Sequence, residues 1–499
     1  MSDKTEAEPK AEEKKIEFKD QLVQTQHSVV LDGQTIEYTV TAGTIVLKEE
    51  AEKTGDKAGE SEGEKSKATV FFIAYTRNNV DNPAARPITF SFNGGPGSSS
   101  VWLHLGALGP RRVELDDIGS LPPPPYRLTD NAYSLLDLSD LVFIDPVGTG
   151  YSRTVPGEKA KEFLGFKKDI ESIGDFIRLY TTRYQRWLSP KFLIGESYGT
   201  TRAAGLAGYL QDRHGLYLNG LMLISVVLDF STLDFHPGHE LPYILYLPAY
   251  AATAWYHKRL DEKLQRDLRA TLKEVEAFAL NEYAPAMMKG AALSATERTA
   301  FVEQVARYTG LTTGYVDRAD LHIEILRYTK ELLRAERRTL GRLDSRFTGI
   351  DRDAAGETHE YDPSLTNSLG PYTAAFNDYV RRELQFESDL PYEILSSKVI
   401  QAWSFAEHEN RYVSVADTLR QAMTINPHLK VFVANGYFDL ATPYFATEYT
   451  FNHLRLDASL RGNVAMSYYE AGHMMYIHLP SLVKLKQDLV AFMRGAIPA

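Results

Sequence analysis

A serine set between glycines at the end of an apolar run is the residue of this chain with the clearest chemistry. Lys191-Phe192-Leu193-Ile194 reads as a buried strand running into Gly195-Glu196-Ser197-Tyr198-Gly199, and a helix-forming stretch follows from Thr200 through Leu210. That is the pattern of a nucleophile elbow. A serine on so tight a turn sits at strained backbone angles, and only small neighbours let the chain pass close behind it. The turn lifts Oγ above the sheet edge, and the helix start offers backbone N–H groups to a developing oxyanion. A GxSxG pattern also arises by accident in long chains, so its surroundings matter.

Serine attack on an acyl carbon needs a base, an acid partner to hold that base, and donors for the oxyanion. In the α/β-hydrolase order, the acid and the histidine follow the serine on loops after late strands. Val431-Phe432-Val433-Ala434 is followed by Asn435-Gly436-Tyr437-Phe438-Asp439, and Met466-Ser467-Tyr468-Tyr469 by Glu470-Ala471-Gly472-His473-Met474. Asp439 and His473 thus each lie just past the carboxyl end of an expected strand, where ligands bind in such sheets. Alone, an Asp there is ordinarily a turn former and a His beside glycine a solvated loop residue. In this order with Ser197 they read as a triad. A fourth element, Phe92-Asn93-Gly94-Gly95-Pro96-Gly97-Ser98-Ser99-Ser100, also follows a strand. Its glycines let backbone come close to a ligand, although a plain tight turn would use the same residues.

The elements that must position these loops are legible around them. Ile88 to Phe92, Leu141 to Ile144, Phe192 to Ile194 and Leu221 to Ile224 are short apolar runs bounded by turn residues, which suits parallel strands buried on both faces. Val431 to Val433 and Val464 to Tyr469 add two more. Upstream, Ser28 to Leu31 and Thr35 to Val40 flank Asp32-Gly33, a hairpin signal, with further strands at Thr44 to Leu47 and Thr69 to Tyr75. The Glu/Lys/Gly/Ser tract from Lys48 to Lys67 predicts a mobile charged loop, and residues 1–20 a disordered tail. Further on, Leu260, Leu264, Leu268, Leu272 and Val275 share one helical face, Ser294 with Glu297 makes a capping box, and Leu321, Ile325, Tyr328 and Leu332 mark a third helix. The expected organisation is an α/β core over 21–234 and 396–499 with a helical cap inserted over 235–395.

The 499 residues, 43% of them hydrophobic, allow a large core. A net charge of −11, spread along the chain, argues against nucleic acid and anionic membrane as partners. With no cysteine, thiol nucleophiles, thiolate metal sites and disulfides are excluded. The start, Met1-Ser2-Asp3-Lys4 onward, has no apolar h-region, so a cytoplasmic location is expected, or a periplasmic or secreted one if a leader has been removed. Leu241 to Tyr256 is uncharged, but it is too short to span a membrane comfortably and contains Pro242 and Pro248; it is expected to be buried or to line a cleft. His236-Pro237-Gly238-His239-Glu240 holds ligand-type residues, but Pro-Gly prevents the helical spacing that would aim both imidazoles at one metal. Neither metal nor cofactor is expected.

Asn93-Gly94-Gly95-Pro96-Gly97-Ser98-Ser99, Asp145-Pro146-Val147-Gly148-Thr149-Gly150-Tyr151-Ser152, Gly195-Glu196-Ser197-Tyr198-Gly199 and Gly472-His473-Met474, in that order, resemble the serine carboxypeptidase family (peptidase family S10). The resemblance runs from about residue 70 to the C-terminus and is weakest in the helical insertion. It implies an α/β-hydrolase fold with a helical cap, and release of single C-terminal residues from peptides with a free C-terminus. It implies Ser197 as nucleophile, His473 as general base, Asp439 as its orienting partner, and the backbone N–H groups of Gly95 and Tyr198 as the oxyanion hole. Asn93 and Glu196 would bind the terminal carboxylate. Beside that carboxylate an ionised Glu196 repels, whereas a protonated one donates a hydrogen bond, so activity is expected to favour mildly acidic pH while His473 must be neutral. Asp145 is expected to be a structural acid shaping its loop.

Three departures stand out. Ser98 replaces the family's usual Cys, Ala107 its usual second Glu, and Met475-Tyr476 its usual Val-Pro. A second carboxyl helps keep the first protonated, so Ala107 leaves the acid optimum open; His104 lies nearby and is expected to be a packed loop histidine rather than a substitute. Two rivals follow. One is an esterase or acyltransferase using the same triad, and the other a binding protein that kept the fold and lost catalysis, against which the intact triad argues. Side-chain preference and homo-oligomer formation stay open.

Overall fold

The structure is a computed structural model that describes residues 18–52, 59–116 and 120–497. Strands β1 (Gln21–Leu31), β2 (Gln34–Glu52) and β3 (Ser61–Arg77) form an antiparallel meander. They are followed by β4 (Ile88–Phe92), β5 (Asp140–Ile144), β6 (Lys191–Ser197), β7 (Gly220–Val226), β8 (Lys430–Gly436) and β9 (Val464–Tyr469). Their order in one sheet is β1-β2-β3-β5-β4-β6-β7-β8-β9, with Arg153–Thr154 beside β3 as a tenth strand. From β5 to β9 all neighbours are parallel. Every residue of β4, β5 and β7 is buried, which is why these segments lack a polar alternation.

Helices α1 (Phe166–Arg183) and α2 (Tyr198–His214) cover one face of the sheet. The segment between β7 and β8 builds a separate apolar cluster from α3 (Leu241–Tyr256), α4 (Leu268–Phe278) and α5 (Ala295–Thr309). Helices α6 (Pro363–Arg382) and α7 (Leu479–Ala496) cover the other face of the sheet. A mostly parallel sheet clad on both sides, with helices inserted late in the chain, is an α/β-hydrolase fold. No helix of the described residues is long and apolar enough to cross a membrane, and α3 lies buried in the inserted cluster.

Four local expectations are corrected. The charged tract at Lys48 to Lys67 is largely paired: Lys48 faces Ser66, Glu49 faces Lys65 and Glu50 faces Glu64, so the ladder of β2 and β3 runs on into it, while residues 53–58 lie outside the described residues. Opposite charges at neighbouring positions and anchors on other elements support this extension; Lys168 holds Glu49, and Glu158 takes both Lys65 (2.6 Å) and Lys67 (2.9 Å). Residues 1–17 of the expected tail also lie outside the described residues. The face from Leu260 to Val275 is split between Glu262–Gln265 and α4, because the Asp267 side chain accepts from Ala270 N (2.7 Å) and caps a new helix. The third helix covers only Ile325–Glu331 and leaves Leu321 before it. Finally, the end of the inserted region is not cap: Tyr372, Phe376 and Tyr379 of α6 pack with Phe143 and Tyr75 of the sheet. Its aromatic residues have a large apolar surface to bury, and the sheet face offers the larger partner.

Candidate active site

Strand β6 delivers Ser197 at φ 60°, ψ −131°, directly before α2. Its glycines are required by contact. A Cβ at Gly195 would lie 2.1 Å from Gly199 O, and one at Gly199 2.9 Å from Phe92 O. The glycine loop after β4 closes on the elbow in the same way: a Cβ at Gly94 would sit 2.5 Å from Tyr198 N, and Gly95 has φ +108°. This places the Gly94-Gly95 backbone beside Tyr198 N–H, one of the amides that a helix start leaves unpaired.

Asp439 and His473 meet beyond the ends of β8 and β9. His473 Nδ1 is 2.8 Å from Asp439 Oδ2, and both side chains are buried. Asp439 also accepts from Ala441 N (2.7 Å), Thr442 N (3.0 Å) and Thr442 Oγ1 (2.7 Å), which fixes the carboxylate plane. The His473 backbone is pinned at both ends: its N–H donates to Leu343 O (2.6 Å), and its carbonyl accepts from Ser225 Oγ (2.6 Å). Ser225 occupies the register shift of β7 at φ 53°. Burial disfavours a charged His473, but Asp439, its hydrogen bond and Glu196 outweigh that and raise the imidazole above its ordinary value. Among the described residues no hydrogen bond joins Ser197 Oγ to this ring; such bonds commonly tighten only around substrate.

Glu196 and Asn93 adjoin the same point. Asn93 Nδ2 donates to Glu196 Oε1 at 3.0 Å, and Asn93 Oδ1 accepts from Leu103 N at 3.1 Å. Glu196 is 4% exposed, and burial lifts its carboxyl to about 7 against the opposing pull of His473. A carboxyl that keeps its proton up to neutral pH can donate to an anion.

A sequence model of the serine carboxypeptidase family matches residues 58–477. The chain belongs to the serine carboxypeptidase family. The pheromone-processing carboxypeptidase KEX1 of Saccharomyces cerevisiae is 33% identical over 144 residues, 28% of this chain and 18% of that protein. Serine carboxypeptidase-like 33 of Arabidopsis thaliana is 31% identical over 137 residues, 27% of each. The matched stretch therefore spans less than a third of either relative. The crystal structure of KEX1(delta)P, a prohormone-processing carboxypeptidase from Saccharomyces cerevisiae, covers 91% of both chains with TM-score 0.57 at 18% identity, a likeness of fold.

For a serine carboxypeptidase family member, the departures have definite places. Ser98 is buried, and its hydroxyl accepts from Trp102 Nε1 at 2.8 Å. Ala107 lies in the buried π-helical segment His104–Leu108. His104 is packed, as expected: its ring stacks on Phe143 at 4.4 Å, Nε2 meets Tyr75 Oη at 2.6 Å, and burial depresses it to about 3. Asp145 accepts from Ser100 N and Oγ, both at 2.8 Å, so it shapes the loop after β4. His236 and His239 stack at 4.9 Å and spend Nε2 on Tyr412 Oη and Ser231 O (2.6 Å each).

Sequence reasoning missed Thr442 and Ser225, and also a buried cation. Arg202 of α2 is 1% exposed; its Nε donates to Asp169 Oδ2 (2.9 Å) and its Nη1 to Asn93 O (2.6 Å), while Tyr198 Oη donates to the same Asp169 (3.2 Å). One guanidinium thus ties α1, the elbow and the glycine loop together. The signal was present as a lone charge within Thr200-Thr201-Arg202-Ala203-Ala204. Arg202→Met is expected to cost about 3–5 kcal/mol in denaturant unfolding, because it strands the Asp169 carboxylate. An unchanged unfolding midpoint would mean that the tie is idle.

Proposed function

We propose that this chain is a serine-type carboxypeptidase that hydrolyses the C-terminal peptide bond of peptides through an acyl-enzyme. The observation that carries this reading is Glu196: a buried carboxyl, raised to about 7, hydrogen-bonded to Asn93 and adjacent to Ser197. A hydrolase of neutral esters has no use for a second proton donor beside its nucleophile. A peptide's terminal carboxylate supplies one.

In this mechanism Ser197 Oγ attacks the last peptide carbonyl as His473 Nε2 takes its proton. Asp439 holds Nδ1, keeps the tautomer and steadies the imidazolium. The N–H groups of Gly95 and Tyr198 hold the oxyanion. His473 then protonates the leaving amine, the terminal residue departs, and water activated by the same imidazole hydrolyses the ester at Ser197. Asn93 and protonated Glu196 grip the terminal carboxylate, which makes the last bond the one that is cut.

The test compares an N-blocked dipeptide bearing a free C-terminus with its amide and its ester at pH 6. The free acid is expected to have the higher kcat/KM than the amide by about 10-fold or more, the worth of charge-assisted hydrogen bonds to a carboxylate. Equal or better cleavage of the amide and ester would transfer the triad to an esterase or an acyltransferase.

A further inference from the structure

Tyr476 has a feature that the mechanism above leaves unused. It lies in the short turn Met475–Ile477, three residues past His473, and is 2% exposed. Its ring presses on Gly106, where a Cβ would lie 2.5 Å from Tyr476 Cε2 and 2.5 Å from Tyr372 Oη. Its hydroxyl is buried and has no hydrogen-bond partner among the described residues, and the same is true of Glu196 Oε2. The hydroxyl lies close enough to Glu196 and Asn93 for hydrogen-bonding as well as charge interactions to act between them, yet with neither does it form a well-aligned hydrogen bond.

A buried phenol without a partner is costly, and the cost is removed when a ligand accepts from it. Three neutral donors therefore converge beside Ser197: Asn93 Nδ2, the Glu196 carboxyl in its protonated form, and Tyr476 O–H. Burial raises the phenol well above its ordinary value, so it stays a donor at every working pH. Among the described residues no guanidinium or ammonium is hydrogen-bonded to these three groups. A carboxylate, with two oxygens and several lone pairs, matches such a set.

We propose that Tyr476 is a third donor to the terminal carboxylate of the substrate, completing the grip of Asn93 and Glu196. This rests on the carboxypeptidase reading. Tyr476→Phe removes the hydroxyl and leaves the ring against Gly106. In a Ser197→Ala background, calorimetric titration with the N-blocked dipeptide and with its amide reads the grip without turnover. The ratio of acid to amide affinity is expected to fall about 10-fold on adding Tyr476→Phe. A retained ratio overturns the role of Tyr476 while leaving the carboxypeptidase reading intact. Equal weakening of acid and amide also overturns it, since that marks lost packing. No preference for the acid in Ser197→Ala alone overturns both proposals.

Discussion

Ser197→Ala is expected to lower kcat/KM for a free-acid dipeptide by about 10,000-fold or more, with the fold retained. Loss of the nucleophile leaves only binding and oxyanion stabilisation to act on a water molecule. The fold is expected to survive for a local reason. Ser197 Oγ makes no hydrogen bond among the described residues, so its removal withdraws no folding contact. The strained angles, φ 60° and ψ −131°, are held by the Gly94-Gly95 loop and α2 and are borne equally by alanine. Single-turnover kinetics and thermal unfolding test both halves. Undiminished hydrolysis would sink the mechanism, and a collapsed melting transition would show that the serine also serves the fold.

The second large effect is on pH dependence. Hydrolysis of a free-acid substrate requires Glu196 protonated and His473 neutral. Glu196 loses its proton near pH 7, so free-acid activity is expected to fall about tenfold per unit above that point, or about 100-fold by pH 9. The amide of the same dipeptide lacks the carboxylate and should show no such fall. Glu196→Gln cannot ionise and should remove the alkaline limb. It should also move the acid limb downward, because Glu196 is one of the groups that raise His473. The two residues interact, so the limbs report the pair rather than either group alone. Retention of the alkaline limb in Glu196→Gln would reject it as the carboxylate donor.

Stability gives an independent check with a defined sign. The folded chain holds the Glu196 proton up to about pH 7, whereas the unfolded chain releases it near the ordinary glutamate value of 4.5. The stabilisation linked to this proton is complete below pH 4.5 and is lost as pH rises through 7. Relative to the wild type, Glu196→Gln is therefore expected to melt higher at pH 8 than at pH 4.

What could be read without coordinates was local. The tight elbow follows from steric limits among neighbouring residues, and Asp439 and His473 were legible from their order after late apolar runs, whereas the closeness of the Gly94-Gly95 loop to Tyr198 is set by packing between distant segments. A Cβ at Gly195 fails against Gly199 four residues away, and that constraint is written in the sequence itself. The buried parallel strands were legible for a similar reason, since burial on both faces leaves an apolar run. Other features depend on partners far along the chain. Arg202 finds Asp169 and Asn93, Ser225 finds His473, and Lys48 to Lys67 extends a ladder supported by Glu158 and Lys168. The aromatic residues of α6 belong to the sheet and not to the cap, because burial is summed over all surfaces the folded chain offers. The same holds for chemistry. The residue types announced a serine nucleophile, but the proton on Glu196 depends on how far desolvation outweighs the nearby charge of His473, a balance that exists only once the site is enclosed.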